Sequence, residues 1–183
     1  MSIKPDPSTL RPACAEIDAF LRTGPDAWSA PTPAVLVGYG FRSWMRGAAY
    51  GTIGDWERCW NVYARALGPA RARGTVSELA CWVRALRASG GRAPRVMGDD
   101  AAAFSTDEQL AISIVAAGQN DVCPAMRACT YALIESSSID ASVDAGMAFA
   151  HKLQKDGVLL PSAAVVNAID VSSISGMSAG SRH

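Results

Sequence analysis

Residues 54–69 read GDWERCWNVYARALGP, Gly54 to Pro69, and this stretch decides the fold class. With Asp55 as N-cap and successive residues about 100° apart, Trp56, Cys59, Trp60, Tyr63, Ala66 and Leu67 share one helix face. Glu57, Arg58, Asn61 and Arg65 take the other. That spacing is the signature of a helix with one buried stripe. Gly68-Pro69 ends it, because glycine suits the cap and proline breaks the hydrogen-bond ladder. Two tryptophans four residues apart are read first as core. A flat ligand stacked on them, such as a haem or flavin, is the alternative.

Outward from this helix, residues 35–86 hold four of the five tryptophans and three of the four tyrosines, so the apolar weight of the chain is central. On the N-terminal side, residues 35–50 are read as a helix. Val37, Phe41, Trp44, Met45 and Ala48 face inward; Tyr39, Arg42, Arg46 and Tyr50 face outward. Earlier still, residues 12–22 form a short helix with Cys14, Ile17, Phe20 and Leu21 as apolar positions, and residues 26–33 read as a linker.

On the C-terminal side, PARARG is a short basic loop, and Thr75 with Glu78 forms a capping box that opens a helix to about Ser89. Leu79, Trp82, Val83 and Leu86 face inward there, while Ser77, Arg84 and Arg87 face outward. GGRAPRVMGDD is a loop. Ser105 and Glu108 make a second capping box for residues 106–117, a helix apolar almost all round and therefore central, ended by Gly118. Asp121 caps the next helix, lined by Val122, Met126, Cys129 and Leu133. A further helix over 140–156 buries Val143, Gly146, Met147, Phe149, Ala150 and Leu153. A last short one runs from Ser162 to Ile169. The expectation is an all-α fold, a single orthogonal bundle of six to eight short helices. It comprises an extended arm over 1–11, a helical domain over 12–170 and a disordered tail over 171–183.

Composition narrows the function classes. The chain has 183 residues, 49% of them apolar and 19% charged, which suffices for one domain with a sizeable core. No apolar run is long enough to span a bilayer, and MSIKPDPSTL lacks the hydrophobic segment of a signal peptide. A cytoplasmic protein with five reduced cysteines and no membrane insertion is expected. Cys123 and Cys129 are six residues apart and cannot bridge each other on one helix. No C-x-x-C pair or metal-ligand spacing occurs, and neither a metal nor a cofactor is expected. Cys123 falls in the first turn of its helix, where the partial positive charge favours a thiolate, so it is the candidate reactive thiol. His151, the one internal histidine, lies on a polar helix face. No nucleophile elbow, P-loop or zinc-protease motif is present, and no catalytic residue is assigned.

Charge supplies the main lead. Residues 1–98 carry 13 Lys/Arg against 7 Asp/Glu, a net of +6, whereas residues 99–183 carry 4 against 10, a net of −6. Either the two halves pack together, or the basic half offers a binding face. The candidate partner- or anion-binding residues are Arg42, Arg46, Arg71, Arg73, Arg84 and Arg87. The favoured function is a non-catalytic interaction or regulatory module that binds a protein partner, or a second copy of itself, through this surface. The second reading is a nucleic-acid-associated regulator using the same arginines. The third is a small-molecule or cofactor binder, or an enzyme, with Trp44, Trp56, Trp60 and Trp82 lining its pocket.

Overall fold

The computed structural model describes residues 13–22, 30–98, 101 and 103–165, with only the backbone for 13 and 14. Its regular structure is α1 (Ala13–Arg22), α2 (Pro33–Tyr50), α3 (Ile53–Leu67), α4 (Pro69–Ala88), α5 (Thr106–Gln119), α6 (Cys123–Ile134), α7 (Asp140–Lys155) and a 3₁₀ turn (Ser162–Ala164). The described residues contain no strand, and the protein is an all-α bundle. The expected arm over 1–11, the tail over 171–183 and the side chain of Cys14 lie outside the described residues.

Helix α5 occupies the centre. Ser105 Oγ accepts the Glu108 N–H at 3.1 Å, and Glu108 Oε2 accepts the Ser105 N–H at 2.6 Å, the capping box expected from the sequence. From Leu110 to Gln119 every residue is buried, because α2, α6, α7 and the 3₁₀ turn surround the helix. Helices α4 and α7 run antiparallel: Thr75 meets Asp156 at one end, and Trp82 meets Phe149 further along. The Trp82 ring touches Phe41 of α2 and Phe149 of α7, with centroids 5.5 and 5.7 Å away, and so ties three helices together. Close approach of α3 to α2 depends on two glycines. A Cβ on Gly40 would collide with the Tyr63 ring, and one on Gly47 with the Trp56 indole.

The described residues between α4 and α5 have no regular structure, yet they are held in place. Arg42 of α2 is wholly buried and spends all its donors on this region. Its Nε donates to Glu108 Oε1 at 2.6 Å and its Nη2 to Glu108 Oε2 at 3.0 Å and Ala103 O at 2.9 Å. Its Nη1 donates to Gly98 O at 3.3 Å and Ala101 O at 3.2 Å. Glu108 Oε1 also accepts the Met97 N–H at 3.2 Å. The Phe104 ring covers the guanidinium at 5.2 Å and packs on Gly38, where a Cβ would collide with it. Nearby, Arg92 holds Asp107 with both terminal nitrogens, at 2.6 and 2.8 Å.

Several boundaries and faces differ from expectation. Helix α2 is buried on all sides from Val35 to Ser43, so Tyr39 and Arg42 do not face outward. Helix α3 starts at Ile53 with Thr52 as N-cap, and Asp55 lies inside it, accepting the Thr52 hydroxyl. Its deepest line is Cys59, Val62, Tyr63 and Leu67; Trp56 and Trp60 flank that line half-buried. Helix α4 starts at Pro69, not after a basic loop. Gly68 (φ +80°) turns the chain and Pro69 takes the first helical position, where its missing N–H costs nothing. Thr75 is therefore an interior residue and not an N-cap. Helix α5 continues through Gly118, which packs against Ala150. Asp121 adopts a left-handed turn (φ +57°), leaving Val122 as the N-cap of α6. The last helix is a 3₁₀ turn over Ser162–Ala164, and residues 166–169 lie outside the described residues.

The buried pair makes a testable demand. Arg42→Met leaves Glu108 charged and uncompensated, and is expected to lower stability by about 3–5 kcal/mol in urea unfolding. Removing both partners, as in R42M/E108L, is expected to fall short of wild type too. Three carbonyls and two N–H groups would then lose their partners, at roughly 1–3 kcal/mol each. A double variant more stable than wild type would show that the pair does not organise this segment.

Candidate functional site

The structure sorts the six candidate arginines into two groups. Arg42 is removed from any binding surface, since it is fully buried and committed to Glu108 and three backbone carbonyls. Arg46 lies over the Tyr50 ring at 5.8 Å, with its Nε 3.7 Å from Asp55. Arg71 is exposed but turns back on its own fold, donating to Leu67 O at 2.7 Å. Arg73, Arg84 and Arg87 differ. All three are exposed on α4, and none has a carboxylate partner among the described residues.

The amphipathicity of α4 produces that arrangement. Ala72, Thr75, Leu79, Trp82, Val83 and Leu86 are its buried residues. On a helix of 3.6 residues per turn, Arg73, Ser77, Arg84 and Arg87 then fall within an arc of about 80° on the outward side. The stripe is about 21 Å long from Arg73 to Arg87. Ser77 is also exposed, its hydroxyl donating to Arg73 O at 2.9 Å. The helix is held from behind by Asp156, which accepts the Thr75 hydroxyl and pairs with Lys152. The sequence wheel identified Arg84 and Arg87 on this face but placed Arg73 in a loop. The first turns of α4 were the missing information.

The tryptophans differ in their surroundings. Trp82 is fully buried, with the Phe41 and Phe149 rings against it, which removes it from the proposed pocket. Trp44 and Trp56 lie against each other with centroids 5.6 Å apart, and Trp60 is half-buried against the core. Cys59 and Cys129 are buried, and burial pushes both thiols above their ordinary value. Cys81, one turn from Ser77 and Arg84, is exposed, as is Cys123 at the first position of α6. His151 is exposed on α7. Among the described residues no three His, Cys, Asp or Glu side chains converge as a metal site would require, and no helix is long and apolar enough to cross a membrane.

Two carboxylates behind these surfaces titrate abnormally. Burial raises the Asp55 carboxyl, but hydrogen bonds from Thr52 and Arg58 and the charges of Arg46 and Arg58 outweigh it and hold it below the usual range. At Asp156 burial is likewise outweighed, by hydrogen bonds from Lys152 and Thr75 and the charges of Lys152 and Arg71. A depressed carboxyl stabilises the fold above its unfolded value of about 4 and loses that contribution as pH falls through the native value. The melting temperature should therefore drop as pH falls from about 4. Asp156→Asn should cost about 1–3 kcal/mol at neutral pH. The gap between D156N and wild type should narrow over the same acid range; a constant gap would contradict this.

Thiol labelling gives a second check. In the native protein Cys81 and Cys123 should react and Cys59 and Cys129 should be protected until unfolding. Faster alkylation at Cys123 than at Cys81 is the outcome expected if the helix terminus activates it, and equal rates would remove that idea. Comparison with protein-family models, with curated proteins and with solved structures finds no match to this chain, so its function is argued from this geometry alone.

Proposed function

We propose that this protein is a non-catalytic helical interaction module that binds an acidic protein partner through the outer face of α4. The observation that carries this reading is the contrast among its arginines. Arg42, Arg46 and Arg71 make contacts within the fold, while Arg73, Arg84 and Arg87 stand exposed along one line without a described carboxylate beside them. Guanidinium groups bind carboxylates in a bidentate fork and hold their charge at any physiological pH. Three of them on a rigid helix form a preorganised cationic strip, which steers an acidic partner and fixes its orientation more than it adds raw affinity.

A labelled oligoglutamate peptide tests the reading. Wild type should bind it with an affinity that falls as salt rises. The triple reversal R73E/R84E/R87E should weaken binding by at least about tenfold, since three exposed ion pairs of up to about 1 kcal/mol each are replaced by repulsion. The same variant should melt within a few degrees of wild type, because exposed substitutions change stability by roughly 0.5 kcal/mol or less. An affinity unchanged by the reversal would refute the α4 surface. Tighter binding of duplex DNA than of oligoglutamate, lost in the same variant, would refute the protein-partner assignment in favour of nucleic acid.

A further inference from the structure

Resting on the proposed role of the α4 surface, we infer that its occupant is an acidic amphipathic helix from a different protein, laid along α4. The shape of the strip points to a helix. Between Arg73 and Arg84 the outward side carries Ser77, Ala80 and Cys81, with half-buried Val76 at its edge, and Ala70 and Ala88 flank it at the two ends. No side chain longer than serine or cysteine stands in that interval, so a second helix can lie close against α4 while the arginines reach round it. Interaxial separations of about 8–10 Å are set by the side chains at the contact, and small ones favour the near end.

Backbone chemistry separates a helix from an extended peptide. An extended segment brings unpaired N–H and C=O groups to the surface, and each one that the contact buries needs a partner. The α4 face supplies guanidinium donors, and its one small hydroxyl, Ser77, keeps its lone pairs free to accept while its proton goes to Arg73 O. One such acceptor cannot serve the row of N–H groups of a strand. A helix satisfies its own backbone and asks of α4 only what α4 has, namely cations for its carboxylates.

Charge complementarity fixes the register. The acid on α4 itself, Glu78, lies about 120° round the helix from Arg84, so the strip is purely cationic. An antiparallel helix with carboxylates at positions n, n+3 and n+14 presents them within an arc of about 60°, opposite Arg87, Arg84 and Arg73 in turn. This chain's own described helices do not meet that pattern. The exposed acids on any one of them number at most two, as with Asp140 and Asp144 on α7. Among the described helices a second copy supplies no occupant of this pattern, which favours a distinct chain.

The test uses the full chain and alanine-based helical peptides in fluorescence anisotropy at low ionic strength. One peptide carries glutamates at n, n+3 and n+14. A second has the same composition with the glutamates spread round the helix. The in-register peptide is expected to bind about tenfold more tightly, the worth of two or more further exposed ion pairs. R73E/R84E/R87E should abolish that preference, and a peptide with lysines at the three positions should restore binding to the variant. Equal affinity for both peptides, with both lost in the variant, would overturn the helical partner while leaving the cationic surface intact. Binding unaffected by the reversal, or no binding of either acidic peptide, would overturn the surface itself.

Discussion

The contact on which the rest depends is the Arg42–Glu108 pair. Taking two charges out of water costs several kcal/mol per ion, and their attraction repays this only when the remaining polar atoms are also satisfied. Here they are. The guanidinium divides its five N–H groups between the carboxylate and the carbonyls of Gly98, Ala101 and Ala103. The carboxylate takes, besides Arg42, the N–H groups of Met97 and Ser105. One ion pair therefore ties together α2, the start of α5 and the described residues from Met97 to Ser105 that it contacts. Because α5 is the central helix, its position is in effect set against α2 at this point. Phe104 completes the site from above, and glycine at position 38 is what lets its ring come down onto the guanidinium.

That same pair explains what could and could not be read from the sequence. Periodicity located the buried stripe of α4 and the all-round burial of α5, because both are local, repeating and apolar. It also placed the Ser105–Glu108 capping box, whose two residues are three apart. It failed at Arg42. A helical wheel assigns arginine to water, and the carboxylate that makes its burial tolerable lies 66 residues away. Glu108 gave no warning, since its role in the cap already accounted for it. Thr75 and Glu78 show the converse error. T-x-x-E matches a capping box, but with Pro69 able to begin the helix two turns earlier, Thr75 is interior and its hydroxyl serves Asp156.

The uneven charge along the chain now divides into a structural and a residual part. Arg42 and Arg92 from the basic half are consumed by Glu108, Asp107 and Glu135 from the acidic half, so part of the asymmetry is the two halves holding each other. Arg46 and Arg58 are drawn to Asp55 within the basic half. What is left on the surface of α4 is a strip of arginines whose charge does no described work inside the molecule. Its components were legible in the sequence as residue types; the selection among them was not, because it depends on which acids the tertiary fold brings near.

A strip of this kind is useful only if its backbone does not move. Side-chain ordering costs a partner roughly 0.5–1.5 kcal/mol per immobilised arginine, and any backbone ordering would come on top. Helix α4 avoids the second cost. Trp82 anchors its middle against Phe41 and Phe149, and the Thr75–Asp156 contact anchors its beginning to the end of α7. Gly74 lets Lys152 close over the same turn, since a Cβ there would collide with the lysine side chain. The buried face of α4 thus carries the fold and its outer face carries none of it. Substitutions along Arg73, Ser77, Arg84 and Arg87 can alter recognition while the bundle beneath stays as it is, which is the separation an interaction surface requires.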